Sequence, residues 1–295
     1  MKQFTYLAYL SAWKVIRLLP ARLAYGLMQV IADRVYAKNV SGVQRLRTNY
    51  ARVRPDLSAT ELETYVKEGM RSYLRYWCDT FRLPSWSDEQ IISTVTVVNE
   101  HYLRDALAGG SGCIVSLPHA GNWDHAGAYF CKTGAPIVTV AEHLEPEKLF
   151  QKFLDYRQSI GMEVLDASAR SLATLALRLR SNRLVALVAD RDLSKNGVQV
   201  NFCGFPARMP AGPAVLSMQT GAPLLTAFVS YTEQGLHIEF GAPISVPAEG
   251  TNSEKVAIMI QESATRLEAH LKSSLTDWHM LQRIWIDGDF KERDE

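Results

Sequence analysis

The chain has 295 residues, 47% hydrophobic and 21% charged, with a net charge of +1. That composition excludes a disordered chain, a collagen-like repeat and a disulfide-stapled miniature. The near-neutral balance excludes nucleic-acid binding driven by bulk charge. Four cysteines at positions 78, 113, 131 and 203 form no C-x-x-C pair, which argues against a zinc ribbon or a dithiol redox motif and for reduced thiols in a cytosolic protein.

Charge is unevenly spread along the chain. Residues 1–54 hold ten basic side chains and one acid, Asp33, a net +9 that leaves −8 for residues 55–295. The segment lacks the compact apolar run and cleavage site of a secretory signal. As a membrane span it would put Lys14, Arg17 and Arg22 near the bilayer centre. The spacing instead predicts a pair of amphipathic helices broken at Pro20, a residue suited to a first helical position. At about 100° per residue, Ser11, Lys14 and Arg17 share one face while Leu10, Trp13 and Ile16 lie on others. Such helices rest in a membrane interface with the apolar side down, and each basic residue near an anionic leaflet adds about 1 kcal/mol. The competing reading is two core-facing helices with a solvated basic side.

From residue 55 the pattern alternates. Residues 59–82 predict a helix opened near Ser58 and stopped by Pro84. The β-branched run 91–98 predicts a strand, and 99–108 a helix. Strands follow at 113–117, 137–141, 162–166 and 184–190, with helices at 122–133, 146–160 and 168–181 between them. A helix at 211–220, strands at 224–232 and 236–240, and helices at 252–275 and 276–285 complete the chain, with a charged, frayed tail from Asp287. Strands alternating with helices predict an α/β fold: one twisted, mostly parallel sheet flanked by helices, with the basic amphipathic helices of 1–54 packed onto the domain of 55–286 as one continuous unit.

In such sheets reactive groups sit just past the carboxyl ends of strands. Strand 113–117 is followed by Pro118-His119-Ala120-Gly121-Asn122-Trp123-Asp124. A turn opened at Gly121 lets Asp124 hold one nitrogen of the His119 imidazole, a base oriented by a carboxylate. An isolated loop histidine more often caps or packs; here the strand-end position and the nearby acid favour chemistry. His125 points elsewhere on the helix and reads as structural. No G-x-G-x-x-G follows the strand and no G-x-S-x-G elbow is present, which disfavours a dinucleotide site and a serine hydrolase. Glu142 and the triplet Asp190-Arg191-Asp192 end neighbouring strands, consistent with a shared polar cleft. Arg157, and Arg208 just before the helix at 211, are candidate anion contacts.

The segments LPHAGNWDHAG (117–127), TVAEHLEP (139–146), YRQSIGMEV (156–164), VADRDLSKNGVQVNFCGFPARMPAGPA (188–214) and DWHMLQRIW (277–285) occur in that order. Together they resemble the lysophospholipid-type glycerolipid acyltransferase superfamily, in the branch of the lipid A acyltransferases. Within it the chain looks most like the actinobacterial phosphatidylinositol mannoside acyltransferases. It departs from the family in one place: the usual Glu of the Glu-Arg-Asp triplet is Asp190, shorter by one methylene.

The resemblance implies transfer of an acyl group from acyl-CoA, a co-substrate, to a mannose hydroxyl of a mannosylated phosphoinositide, with no further cofactor and no metal. His119 would be the general base and Asp124 the acid that fixes its tautomer. Backbone N–H groups near the 119–124 turn, or Arg191, would stabilise the oxyanion. Glu142, Asp190, Arg191 and Asp192 would position the sugar, and Arg157 and Arg208 would meet phosphate. An apolar channel must hold the acyl chain. The protein would sit peripherally on the cytoplasmic face of the cell membrane, against an anionic surface. A lipid A-type enzyme on another glycolipid, a thioesterase and a non-catalytic lipid-binding protein are the alternatives.

Overall fold

The structure is a computed structural model that describes residues 2–141, 146–167, 170–192 and 194–288. Three helices open the chain, α1 (Lys2–Leu18), α2 (Ala21–Ala37) and α3 (Ser41–Val53), followed by the long α4 (Ala59–Arg82) and the short α5 (Asp88–Ser93). Then come β1 (Val95–Val98), α6 (His101–Ala108), β2 (Cys113–Leu117), α7 (Trp123–Lys132), β3 (Ile137–Ala141), α8 (Glu147–Ser159), β4 (Glu163–Asp166), α9 (Ser171–Arg180) and β5 (Leu184–Val188). A hairpin of β6 (Val198–Phe202) and β7 (Phe205–Met209), then α10 (Gly212–Thr220), β8 (Leu224–Tyr231), β9 (Leu236–Phe240) and α11 (Asn252–Ser273) complete the regular elements. Seven strands form a sheet in the order β1-β9-β8-β2-β5-β3-β4. The run from β8 to β4 is parallel, and β9 with its parallel neighbour β1 runs the other way. The predicted twisted, mostly parallel sheet flanked by helices is therefore the fold.

Alternation along the strands sends side chains to two separate cores. Ile114, Val185, Leu187, Leu224 and Phe228 face α10 and α11, while Val115, Leu184, Ala227, Val229 and Ile238 face the layer of α6, α7 and α8. Because β2 and β5 are adjacent with Leu117 opposite Val188, the residues that follow them leave the sheet at the same level. The ladder continues one step further, Ala189 N–H donating to Leu117 C=O at 2.8 Å.

The N-terminal helices pack on α4. Asp33 on α2 takes a two-pronged contact from Arg71, both bonds 2.7 Å, and Asp79 accepts from Tyr25 at 2.5 Å. Trp13 and Ile16 are buried, Trp13 among Phe81, Phe153 and Tyr156, so this apolar stripe faces the protein. A different set stays outside: Val15, Leu18, Leu23, Leu27 and Val30 are exposed among the exposed Lys14, Arg17, Arg22 and Arg34. Among the described residues no helix is long and apolar enough to cross a membrane.

Several local expectations are corrected. Residues 91–93 are helical, not extended, because Ser87 caps α5 by accepting from Gln90 N–H with Asp88 and Glu89 in the first turn. Pro20 is the cap of α2 (φ −50°, ψ 141°) and not its first helical residue. Residues 41–53 form a helix that the two-helix reading of 1–54 lacked. The β6–β7 hairpin also went unpredicted; it turns on Cys203 and Gly204, both at positive φ. The last predicted helix, 276–285, does not exist. After a short 3₁₀ turn at Leu275–Asp277 the chain runs irregularly, and buried Asn49 on α3 takes the Met280 and Gln282 carbonyls at 2.7 and 2.9 Å. Those are acceptors that a helix would have kept for itself. Asp287 is tied to Arg52 at 3.0 Å, and the tail beyond 288 lies outside the described residues.

Candidate active site

His119 and Asp190 stand two residues beyond the paired ends of β2 and β5, and the equal offset brings them together. His119 Nδ1 lies 2.6 Å from Asp190 Oδ1, and the His119 backbone N–H donates to Oδ2 at 3.1 Å. The Trp278 indole N–H donates to the same Oδ2 at 2.9 Å. Burial pushes the Asp190 carboxyl up, but the imidazole charge and these three donors outweigh it and hold it below the usual carboxylate range. An ionised carboxylate only accepts, so Nδ1 carries the proton and Nε2 keeps a lone pair when the ring is neutral. The Asp190 side chain is fully buried, whereas that of His119 is 36% exposed. The result is a base fixed in tautomer from inside and open to substrate from outside.

This corrects the expected partner. Asp124 does not hold the imidazole: its Oδ1 accepts from Arg157 Nε at 2.8 Å and its Oδ2 from Tyr76 hydroxyl at 3.0 Å. The reason is local. Asn122 caps α7 by accepting from His125 N–H at 2.9 Å, which puts Asp124 in the first turn facing α4 and α8. Arg157, expected to meet phosphate, is committed to this buried pair with its side chain 18% exposed. Asp190, expected to position sugar, has both oxygens occupied and no surface to offer.

Other predicted site residues are more scattered. Asp192 accepts from Ser194 N–H at 2.8 Å, and its own N–H donates to the Arg208 carbonyl at 2.8 Å. The Arg208 guanidinium donates to the Ser194 carbonyl at 3.0 Å, so it braces this loop from β7. Arg191 is half-buried in the turn after Asp190. Glu142 lies outside the described residues. Among the described residues no group of three His, Cys, Asp or Glu side chains is placed to hold a metal.

The turn that carries His119 is tight. Gly121 has φ +57°, and a Cβ there would come 2.6 Å from the Val229 carbonyl oxygen, so only glycine fits. The turn amides are spoken for: His119 N–H goes to Asp190, Ala120 N–H to Pro118 and Gly121 N–H to the Asp277 carbonyl. The Trp123 and Asp124 amides at the start of α7, which have no intrahelical acceptor, and Arg191, next in the chain to Asp190, remain as candidate oxyanion donors.

A slender cavity of about 80 Å³ runs between α7 and the sheet. Leu117, Trp123, Asp124, Arg157 and Val188 line it near the dyad, and Leu103, Phe130, Ile238 and Phe240 line it too. Space exists because small residues, Ala126, Gly127, Ala186 and Ala227, occupy the facing positions. Trp123 belongs to both features: its ring stands edge-on to His119 at 5.7 Å and lines the cavity.

Comparison with known proteins shows the family. Residues 1–286 match the bacterial lipid A biosynthesis acyltransferase family. The chain belongs to that family. It is 38% identical over 294 residues to the phosphatidylinositol mannoside acyltransferase of Mycolicibacterium smegmatis, covering 99% of this chain and 94% of that one. It is also 38% identical over 284 residues to the phosphatidylinositol mannoside acyltransferase of Mycobacterium tuberculosis H37Rv, covering 95% and 88%.

Sequence reasoning reads the segment Asp277-Trp278-His279 only as part of the resemblance and gives it no place at the site. His279 is buried and its Nε2 meets Ser72 Oγ at 2.9 Å; burial, then the charge of nearby His119, pushes its imidazole down from 6.5 to about 3. Burial likewise pushes His125 down to about 4. Between the unfolded and folded values the unfolded chain binds a proton that the folded chain refuses. Stability present at neutral pH is therefore lost as pH falls through that window. From pH 7 to pH 5 each of these histidines removes about 2 kcal/mol, while Asp79, its buried carboxyl pushed up to about 6, works in the opposite direction. In denaturant melts, His279→Gln should shrink the difference in unfolding free energy between pH 7 and pH 5 by about 2 kcal/mol; an unchanged difference would mean that the folded state hydrates this imidazole.

Proposed function

We propose that this acyltransferase moves a long-chain acyl group from acyl-CoA to a sugar hydroxyl of a mannosylated phosphoinositide. The observation that carries the chemistry is the His119–Asp190 bond, two residues past Leu117 and Val188, which line an apolar cavity. The names of the relatives, each a phosphatidylinositol mannoside acyltransferase, support the acceptor.

His119 Nε2 takes the proton of the acceptor hydroxyl as its oxygen attacks the thioester carbonyl. The carbonyl oxygen gathers negative charge beside Arg191 and the first-turn amides of α7. The C–S bond then breaks, and the thiolate leaves with the proton from the imidazolium. Asp190 stabilises that imidazolium throughout and is not itself protonated. No covalent enzyme intermediate is needed. Asp124 acts through Arg157 and Tyr76, holding α7 against α4 and α8 at the cavity. Glu142, Arg191 and Asp192 remain the candidates for contacts to the sugar. No cofactor beyond the co-substrate is invoked.

The donor is a cytosolic thioester and the acceptor a membrane lipid, so the enzyme works where both are in reach. The exposed Val15, Leu18, Leu23, Leu27 and Val30, set among exposed basic residues, support peripheral docking of α1 and α2 on the anionic cytoplasmic face of the membrane.

With palmitoyl-CoA and mannosylated phosphoinositide in vesicles, followed by mass spectrometry, His119→Ala should lower transfer by about 100-fold or more. Transfer at the wild-type rate would remove His119 from the reaction, and free fatty acid forming faster than acylated lipid would mark a thioesterase. The docking surface is tested with a Leu18→Asp, Leu23→Asp double variant. Partitioning to vesicles containing anionic lipid should fall by at least about tenfold, since burying each leucine is worth about 1.5–3 kcal/mol; equal partitioning would leave the helices as ordinary surface.

A further inference from the structure

The segment 277–279 belongs to no sheet, yet it grips both members of the dyad. Trp278 pairs with Ala120 in an isolated antiparallel bridge. On either side of that bridge the Asp277 carbonyl accepts from Gly121 N–H at 2.9 Å, and His279 N–H donates to the His119 carbonyl at 2.7 Å. The strap is itself anchored from three elements: Ser72 on α4 donates to Asp277 Oδ1 at 2.8 Å, Tyr231 N–H on β8 to Oδ2 at 2.9 Å, and Tyr50 on α3 to the Trp278 carbonyl at 3.0 Å. Trp278 is fully buried, and its indole N–H reaches the Asp190 oxygen that does not face the imidazole ring.

We propose that Trp278 is a positioning residue for the dyad, its indole N–H joining the His119 backbone N–H to fix the plane of the Asp190 carboxylate so that the other oxygen is directed at His119 Nδ1. A carboxylate torsion is broad, so the plane of its oxygens is set by the donors around it, and on Oδ2 these are the indole and the His119 N–H. The indole can donate but not accept, which marks Oδ2 as the oxygen turned inward. The same bond spreads the carboxylate charge. Removing it leaves more charge on Oδ1, favours the imidazolium, and moves the pH at which His119 becomes the free base upward. The other ionisable groups on the elements packed around the ring are Asp124 on α7 with Arg157 on α8, Arg191 after β5, and the buried neutral His279.

The role in catalysis rests on His119 being the base, so the test includes a readout independent of turnover. In full-length protein the His119 ring is titrated by NMR, its signals assigned by their loss in His119→Ala. Two variants are compared with wild type: Trp278→Phe, which removes the N–H and keeps most of the bulk, and a benzothienyl isostere at 278, which puts sulfur in place of N–H and keeps the shape if Trp278→Phe fails to fold. The His119 signals should titrate at higher pH in either variant than in wild type. The acid limb of kcat/KM for transfer should move with it, and kcat/KM at neutral pH should fall about tenfold. If a folded variant titrates like wild type and keeps its acid limb, Trp278 is packing alone and the proposal is overturned. Wild-type turnover in His119→Ala would instead defeat the base assignment, and the NMR titration would still decide whether Trp278 sets the state of the ring.

Discussion

A carboxylate without solvent is a liability unless every lone pair that matters has a donor. Asp190 is such a carboxylate, and much of the molecule converges on supplying it. The imidazole and backbone N–H of His119 come from the end of β2, Asp190 itself from the end of β5, and the indole from a segment nearly ninety residues later. The strand order sets the first two in place, since β2 and β5 are neighbours in register although three helices and two strands separate them along the chain. The tail sets the third. A hydrogen bond to a charged group is typically worth about 1.5–3 kcal/mol, so the Asp190 charge also ties the C-terminal segment to the sheet.

The remaining features take their meaning from that bond. One side of the imidazole is committed to protein, so the other nitrogen is left for substrate. The apolar slot runs along the sheet face that carries Val115 and Leu117, the same face from which the chain turns toward His119. Asp124 and Arg157, which both line that cavity, form a second buried charge pair whose work is architectural. The N-terminal helices give their Trp13 stripe to the protein and keep another apolar set outside, a division that a helical wheel cannot make without knowing where α4 and α8 lie.

What the sequence made legible follows from short-range physics. The β2–α7–β3 and β4–α9–β5 units carry strong apolar runs and clear helix punctuation, and their strands appear within two residues of the expected limits. The strand-end rule directed attention to His119 and to Asp190. What it could not supply was the pairing between them, because strand order is a long-range property and Asp124 lay nearer in sequence. The shorter Asp190 in place of the family's Glu is no obstacle, as its oxygen already reaches Nδ1 at 2.6 Å. The tail was misread as a helix because its apolar spacing permits one. Its hydrogen bonds to Asn49, Gly121 and His119 are tertiary and leave no periodic trace. The Cys203-Gly204 turn was the available signal for the β6–β7 hairpin, and the chemistry-rich residues around it drew the reading elsewhere.

If Asp190 acts on the reaction only through His119, removing the imidazole makes the carboxylate irrelevant to rate. A double-mutant cycle on acyl transfer, with His119→Ala, Asp190→Asn and the two combined, measures this directly. The double variant should be no slower in kcat/KM than His119→Ala alone. Losses that multiply across the two positions would mean that the carboxylate works independently of the ring and would contradict the dyad.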